Sequence, residues 1–263
     1  MTDTSIGPLQ IGESVADASF LSVLELRGLD PRWEADGVSP ITLTEATTVL
    51  ALTWSDGVVM AGDRRATAGN YIAHSRVRKV YEADRHSAVA ISGTAGMAVE
   101  LIKLFRTELE HYEKIEGSTL SLDGKANFLA RMIRGNLSMA FQGLVVIPLF
   151  CGYDKRQEKG RLFSYDVVGG RYDELNFATT GSGGAEARSF LKSVWNEDLT
   201  REQALGAAVE AIVAAAEEDS ATGGLDLKRG ILPNVLVVTA DGVEEISDED
   251  LAAIAQPILD GRP

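Results

Sequence analysis

Two adjacent threonines, Thr47 and Thr48, stand at the start of an apolar run in this chain. A hydroxyl is a weak nucleophile unless a base stands beside it. A threonine at the N-terminus of a chain supplies that base itself, because an α-amino group has a pKa of about 7.7–8.0 and is partly neutral near physiological pH. An internal threonine carries an amide instead. Thr47 is therefore a candidate nucleophile only after the bond from Ala46 to Thr47 is cut, whereas Thr48 is interpreted as an ordinary strand residue.

Three further residues are suited to assisting such a nucleophile. The ammonium of Lys79 would favour the alkoxide-like form of a nearby hydroxyl, and Asp63 would hold that ammonium and keep it charged. The backbone N–H of Gly93 is the expected donor to a developing oxyanion, because glycine lets the main chain approach a scissile carbonyl closely. With Thr47, these residues form a candidate set for nucleophilic catalysis.

Each of these residues also has an ordinary structural interpretation. Threonine favours strands, so two threonines before an apolar run indicate a strand and nothing more. Asp63 stands beside two arginines, as in many surface ion clusters, and Lys79 lies in a basic patch typical of a solvated face. For each residue singly the structural interpretation is the better one, and only the ordered set favours catalysis.

Other kinds of site receive little support. The glycine-rich segment 181–184 lacks the lysine and the spacing of phosphate-binding loops. The three histidines are scattered and no H-E-x-x-H occurs, so we expect no metal site and no cofactor. The single cysteine, Cys151, lies in an apolar stretch and is interpreted as a small buried hydrophobic residue.

Composition indicates an ordinary soluble globular protein, with 45% hydrophobic and 24% charged residues. A net charge of −14 argues against a nucleic-acid partner and against binding to anionic membranes. The N-terminus has neither the basic start nor the apolar segment of a secretory signal. The longest apolar run, at 144–151, is too short to span a bilayer. We therefore expect a cytoplasmic protein.

The elements that must position these residues follow residue 46, because the segment before it has no pattern long enough for a packed domain. Period-two and apolar runs predict strands at 49–52, 57–61, 88–91, 144–152, 161–167, 174–180, 234–239 and 243–246. Helical spacing predicts helices at 99–112, 125–142, 185–195, 200–218 and after Ser247. A turn at Ser55 and Asp56 joins the first two strands, and Thr200 with Gln203 predicts a capping box. Two strand blocks, each followed by helices, predict packed sheets with helices outside.

Six segments in this order resemble proteasome β subunits, and they are residues 47–52, 62–67, 78–80, 93–96, 181–183 and 219–224. The segments 111–117 and 134–137 are most similar to the actinobacterial type. The resemblance implies an α+β fold, the four-layer α-β-β-α sandwich of N-terminal-nucleophile hydrolases. It implies a propeptide at residues 1–46 that self-cleavage removes, and a catalytic domain at 47–263.

The resemblance also assigns further residues and partners. Ser182, Asp219 and Thr222 are expected to support the terminal amine and a nucleophilic water, and Thr222 replaces the serine of many relatives. The pocket for the residue before the cleaved bond corresponds to Ala66, Val77, Ile91 and Ala95, all apolar, so a chymotrypsin-like preference is expected. The implied partners are proteasome α subunits and other β subunits in stacked seven-membered rings, a ring ATPase, a ubiquitin-like tag system and protein substrates.

One departure from the family concerns Ala46, where relatives usually have glycine before the nucleophile. The methyl group constrains the backbone, so we expect cleavage to occur more slowly than with glycine. Two alternative functions are weighed: a subunit of a two-ring protease of the HslV type, and a catalytically silent structural subunit. The long leader argues against the first, and retention of Thr47, Asp63, Lys79 and Gly93 argues against the second.

Overall fold

The computed structural model of the chain describes residues 47–68 and 71–262. The strands are β1 (Thr48–Trp54), β2 (Gly57–Gly62), β3 (Ala66–Ala68), β4 (Tyr71–His74), β5 (Val80–Asp84), β6 (Ser87–Gly93), β7 (Val146–Asp154), β8 (Lys159–Tyr165), β9 (Arg171–Glu174), β10 (Phe177–Gly181), β11 (Asn234–Thr239) and β12 (Gly242–Glu245). The helices are α1 (Ala95–Glu116), α2 (Leu122–Gly135), α3 (Leu137–Ala140), α4 (Gly184–Val194), α5 (Arg201–Glu218) and α6 (Asp248–Asp260). The expected propeptide and Ala46 lie outside the described residues, so the boundary at 46/47 stays a prediction.

The first sheet has the strand order β10-β1-β2-β11-β12, and all neighbouring strands are antiparallel. Strand β1 lies inside this sheet, and its residues Val49 to Leu52 are completely buried. A run that is apolar on both faces is what a strand covered on both sides requires. A turn at Ser55 and Asp56 joins β1 to β2, as predicted.

The second sheet has the order β5-β6-β7-β8-β9 and is also antiparallel throughout. Strands β3 and β4 form a separate two-stranded hairpin between β2 and β5 in the chain. In the first sheet, β2 ends at Gly62, directly before the predicted site residue Asp63. In the second sheet, β6 ends at the predicted site residue Gly93.

Three apolar clusters show how the layers pack. The two sheets face each other through a cluster that includes Val49, Met60, Leu149 and Leu236. The outer face of the first sheet packs against α4, α5 and α6 through residues that include Leu52, Leu191, Ile212, Val237 and Leu251. The outer face of the second sheet packs against α1 and α2 through residues that include Phe105, Leu129, Phe150 and Phe163. The predicted four-layer α-β-β-α sandwich is confirmed.

A local hydrogen-bond pattern fixes the start of α5. The Thr200 hydroxyl accepts a hydrogen bond from the Gln203 N–H at 3.3 Å, and the Gln203 side chain accepts one from the Thr200 N–H at 2.9 Å. The predicted capping box at the start of α5 is therefore confirmed.

Among the described residues, no helix is long and apolar enough to cross a membrane.

Two predicted elements are wrong in their extent. The helix expected at 125–142 ends at Gly135, because Asn136 leaves the helical region with φ −97° and ψ 10°, and the short helix α3 follows. Glycine and asparagine are both weak helix formers, and either favours an end. The strand expected at 174–180 is two strands, since β9 belongs to the second sheet and β10 to the first. The chain crosses between sheets at Leu175, whose side chain is 86% exposed.

The sequence also concealed some elements. Strands β3 and β4 are short and largely exposed, so they lack the alternation of apolar and polar residues from which a strand is predicted. Strand β5 follows the basic patch that was interpreted as a solvated face, and its first residue, Val80, is fully buried.

The interpretation of Cys151 as a buried hydrophobic residue is confirmed. Its side chain is completely buried between the two sheets. This burial raises the pKa of the thiol to about 12. A thiol held neutral in this way is a poor nucleophile, so Cys151 takes no part in the chemistry of the site.

Candidate active site

Thr47 directly precedes β1 and is held by its backbone against the end of β10. Its carbonyl oxygen accepts a hydrogen bond from the Ser182 N–H at 2.9 Å. Gly181 has φ +99°, and a Cβ atom there would lie 1.6 Å from the Thr47 carbonyl oxygen. Both the backbone angle and the close approach require glycine at position 181. The result is a buried Thr47 with a fixed backbone position.

Asp63 follows β2 and is completely buried. Its Oδ1 atom accepts hydrogen bonds from the Thr48 N–H at 2.9 Å and from the Lys79 ammonium at 2.5 Å. Its Oδ2 atom accepts from the N–H groups of Arg65 and Gly223, each at 2.8 Å. A buried carboxylate is tolerated when its oxygens are satisfied in this way. Asp63 therefore joins two distant parts of the chain, at Thr48 and Gly223, to Lys79.

Lys79 directly precedes β5, and its side chain is 5% exposed. Its ammonium donates to Asp63 Oδ1 and to the Arg65 carbonyl oxygen at 2.6 Å. Burial lowers the pKa of Lys79 from its ordinary value, and the Asp63 carboxylate works against that shift. An ammonium has three N–H donors, and these two contacts with described residues use two of them. The predicted ion pair between Asp63 and Lys79 is present.

Gly93 ends β6 with φ +108°, and a Cβ atom there would lie 2.0 Å from the Val145 carbonyl oxygen. The Ile91 N–H donates to the Lys79 carbonyl oxygen at 3.1 Å, so it points toward β5. Backbone N–H groups alternate between the two edges of a strand. The Gly93 N–H therefore points to the same edge of β6 as the Ile91 N–H. Strand β5 begins at Val80 and does not reach Gly93, so this N–H points into the space beside Lys79, just beyond the start of β5.

Thr47, Lys79 and Gly93 line one small pocket, and the predicted specificity residues Ala66, Val77 and Ile91 line it with them. Ala95 begins α1, and its side chain lies outside the described set. The same pocket is lined by three residues that the sequence did not indicate, namely Arg78, Ala98 and Val99. Ala98 and Val99 follow Ala95 by three and four positions, so helical periodicity could have found them.

Arg78 is a charged residue in the pocket lining that was expected to be apolar. Its guanidinium donates to the Val80 carbonyl oxygen at 3.0 Å and to the Glu245 carboxylate at 2.9 Å. The charge of Arg78 is thus compensated within the described residues. The remaining lining around Thr47 and Lys79 is apolar, which is compatible with the expected preference for hydrophobic side chains.

Ser182, Asp219 and Thr222 lie together. The Ser182 hydroxyl donates to Asp219 Oδ2 at 2.5 Å, and the Thr222 hydroxyl donates to the same atom at 2.6 Å. Partial burial would raise the pKa of Asp219, but these hydroxyl donors and the backbone N–H groups of Ala221 and Thr222 hold it below its ordinary value. Asp219 is thus an ionised acceptor at neutral pH. The group adjoins Thr47 because the Ser182 N–H binds the Thr47 carbonyl oxygen.

Thr48 is more than the ordinary strand residue that the sequence suggested. It is the first residue of β1, yet its side chain is completely buried and its hydroxyl lies 2.6 Å from the Thr222 hydroxyl. The same oxygen accepts a hydrogen bond from the Gly183 N–H at 2.9 Å. The apolar run after Thr48 gives no sign of these contacts, since both partners lie more than 130 positions along the chain.

A second pair of hydroxyls joins the two sheets beside the pocket. Ser92 precedes Gly93 and Thr180 precedes Gly181, and their hydroxyl oxygens are 3.0 Å apart. Ser92 also contacts the Ile147 carbonyl oxygen at 3.1 Å. The strand end that carries Gly93 is in this way linked to the strand end that holds Thr47. Sequence reasoning did not single out either hydroxyl.

No cluster of three or more potential metal-binding side chains occurs in residues 47–68 and 71–262.

Comparison with known proteins shows the family of this chain. Residues 43–226 match the family described as proteasome subunit. A protein of Streptomyces griseus subsp. griseus, described as proteasome subunit beta, is 56% identical to this chain over 216 residues. That similarity covers 82% of this chain and 77% of the Streptomyces protein.

Proposed function

Because this chain belongs to the proteasome subunit family and is a β-type subunit, we propose that it is a threonine endopeptidase of a proteasome core particle. The observation that carries the proposal is the meeting of Thr47, Lys79 and Gly93 in one pocket. The substrates are unfolded or tagged proteins, which are cut to peptides. Catalysis requires that Thr47 be the N-terminal residue of the mature chain.

The reaction begins when the Thr47 hydroxyl attacks the scissile carbonyl and its proton passes to the Thr47 α-amino group. The Gly93 N–H donates to the developing oxyanion. Collapse of the tetrahedral intermediate releases the amine half of the substrate, which takes up the proton, and leaves an ester on Thr47. Water then attacks the ester and releases the acid half. Lys79, held by Asp63 at 2.5 Å, lowers the cost of charge on the hydroxyl oxygen.

Ser182, Asp219 and Thr222 support the terminal amine and the water in this scheme. The two hydroxyls both donate to Asp219, so the Ser182 oxygen keeps its lone pairs to accept from an ammonium, and the Thr222 oxygen keeps one beside its contact with the Thr48 hydroxyl. The negative charge of Asp219 favours the protonated amine that forms when Thr47 reacts. The threonine at position 222 keeps the hydroxyl that serine supplies in many relatives.

The propeptide at residues 1–46 is removed by the same nucleophile. The Thr47 hydroxyl attacks the Ala46 carbonyl carbon, the Ala46–Thr47 amide bond breaks with transfer of a proton to nitrogen, and an ester forms. Water opens the ester, which frees the Ala46 carboxylate and the Thr47 α-amino group.

Replacing Ala46 with glycine is expected to speed this cleavage. The alanine methyl group restricts the backbone conformations through which the hydroxyl reaches the carbonyl, and glycine relieves that restriction. Intact mass measured over time after assembly follows the loss of residues 1–46. Ala46→Val, with a larger branched side chain, is the matched comparison and should slow the cleavage further. Equal rates for all three chains would show that the residue before Thr47 does not limit processing.

Cleavage is expected to be fastest after hydrophobic or aromatic residues, because Ala66, Val77 and Ile91 give the pocket an apolar wall. Fluorogenic peptides that differ only in the residue before the cleaved bond measure this preference as kcat/KM. Val77→Glu adds a carboxylate to the lining and should shift the preference toward basic residues. A wild-type protein that cuts after lysine or glutamate faster than after leucine or phenylalanine would contradict the assignment of the pocket.

The active particle contains stacked seven-membered rings of this chain and proteasome α subunits, supplied with substrates by a ring ATPase and a ubiquitin-like tag system in the cytoplasm. Co-expression with an α subunit from the same genome, followed by native mass and a peptidase assay, tests the assembly. A two-ring particle that forms and works without α subunits would favour the HslV-type alternative. An assembled particle without peptidase activity would favour the silent structural subunit.

A further inference from the structure

We propose that Thr48 is a positioning residue for the Thr47 reaction, acting through the hydrogen bonds of its hydroxyl with Gly183 and Thr222. The inference rests on the proposed function, since it assigns a role within that same site. Thr48 is also bound through its backbone, because its N–H donates to Asp63 Oδ1 at 2.9 Å and its carbonyl oxygen accepts from the Asp63 N–H at 3.0 Å.

The hydrogen bonds around Thr48 have a defined direction. The Thr222 hydroxyl has a single proton, which it donates to Asp219 Oδ2 at 2.6 Å. In the 2.6 Å contact between the two threonine hydroxyls, Thr48 must therefore be the donor. The Thr48 oxygen in turn accepts from the Gly183 N–H at 2.9 Å. The result is a chain of donors that runs from Gly183 through Thr48 and Thr222 to the Asp219 carboxylate.

This chain joins the two segments that carry the supporting groups. Gly183 directly follows Ser182, so its N–H bond to Thr48 fixes the peptide unit that carries Ser182. On the other side, Thr222 and Asp219 lie in the segment that follows α5. The Thr48 hydroxyl contacts both segments, which the hydrogen bond between Ser182 and Asp219 also joins directly, and it stands on the residue next to Thr47. It thereby fixes Ser182 and Asp219 relative to the nucleophile.

The packing around Gly183 is shaped to the two hydroxyls. A Cβ atom on Gly183 would lie 2.7 Å from the Thr222 hydroxyl oxygen and 2.7 Å from the Thr48 hydroxyl oxygen. Any larger residue at position 183 would displace one of them. The buried hydroxyl of Thr48 thus lies in space that is available because Gly183 has no side chain.

Thr48→Val keeps the branched shape of the side chain and removes the hydroxyl. The Gly183 N–H and the Thr222 oxygen each lose a partner, so Ser182, Asp219 and Thr222 are held less firmly relative to Thr47, although the hydrogen bonds from Ser182 to Thr47 and Asp219 remain. Small displacements of positioning groups lower the chemical step, so kcat is expected to fall about 10- to 100-fold. The substrate pocket is not lined by Thr48, so KM should be unchanged. Thr48→Ser keeps the hydroxyl and should restore most of kcat.

The test uses the full chain assembled with its α subunit, with kcat expressed per site that has a free Thr47 terminus and reacts with a β-lactone. Thr53→Val is the matched control, because it makes the same change in the same strand, where the hydroxyl contacts the carbonyl oxygens of Leu175 and Asn176. We expect Thr53→Val to keep the wild-type kcat. Thr48→Cys, which offers only a weak donor, replaces Thr48→Val if that variant does not assemble.

A double-mutant cycle with Asp219→Asn distinguishes positioning from a general loss of structure. If Thr48 acts through Asp219, the double variant should be little worse than the poorer single variant. Multiplied effects, or a Thr48→Val enzyme with the kcat of Thr53→Val, would overturn the inference and leave the proposed function intact. Full activity in a Thr47→Ala particle would overturn the proposed function instead.

Discussion

Thr47→Ala is expected to abolish peptide hydrolysis while the chain still folds. The substitution removes the hydroxyl that the proposed mechanism uses for both self-cleavage and substrate cleavage. Removing a nucleophile that works together with its base costs on the order of 10⁶-fold in kcat in enzymes of this kind of chemistry. The fold should persist, since the hydrogen bond that Thr47 makes with Ser182 uses its backbone carbonyl. The assay is hydrolysis of a fluorogenic peptide by the assembled particle, with the chain mass measured in parallel.

Thr107→Ala is the control for this variant, because Thr107 lies on an exposed face of α1. It should be processed and active like the wild type. The Thr47→Ala chain should retain residues 1–46, since it has no hydroxyl to attack Ala46. Wild-type activity in the Thr47→Ala particle would show that another group is the nucleophile.

Lys79→Ala is expected to have the second largest effect, on both activity and stability. It leaves the Asp63 carboxylate completely buried without its counter-charge. Breaking a buried ion pair by removing one partner typically costs about 3–5 kcal/mol in the free energy of unfolding. It also removes the positive charge from the pocket that Thr47 lines, so kcat of any particle that forms should fall by at least about 100-fold. Denaturant unfolding and peptidase assays measure the two effects separately.

A second, largely buried ion pair supplies the matched control. Lys125 and Asp84 are joined at 2.5 Å, and the Lys125 side chain is 7% exposed, yet the pair lies on α2 and β5 away from Thr47. Lys125→Ala should therefore lower stability in the same manner and leave kcat per assembled site unchanged. Equal losses of kcat in Lys79→Ala and Lys125→Ala would mean that Lys79 acts on stability alone.

An exposed ion pair shows the smallest loss of stability expected when the lysine of such a pair is removed. Lys103 and Glu100 are 3.1 Å apart on α1, and both side chains are more than half exposed. Such pairs contribute about 0–1 kcal/mol, so Lys103→Ala should change neither stability nor activity by much.

The strands that carry the site were readable from the sequence because they are buried on both faces. Strands β1 and β2 are short apolar runs with a two-residue turn between them, and those signals are local. Their ends deliver Thr47 and Asp63 to one place. The ion pair with Lys79 was predicted from chemistry and family resemblance together, since nothing local distinguishes this lysine from its basic neighbours.

What the sequence did not reveal depends on contacts between distant segments. Thr48 meets Thr222 across a separation of 174 positions, and no periodicity reports such a pair. The hydroxyl bridge between Ser92 and Thr180 belongs to two different sheets. Similarly, the pattern of apolar and polar residues continues through Leu175. It therefore gives no sign that the chain passes there from the second sheet to the first. Side-chain hydrogen bonds of this kind follow from tertiary packing and are the part of the site that only a structure gives.

The central claim is that Thr47 becomes the N-terminal residue and the nucleophile. Intact mass of the assembled, active particle before and after treatment with a β-lactone tests it most directly. We predict a β chain that begins at Thr47 and gains one inhibitor per active site, with fragmentation placing the adduct on Thr47 and peptidase activity falling in proportion. A fully active particle whose β chain still begins at Met1, or an adduct on any other residue, would contradict the account.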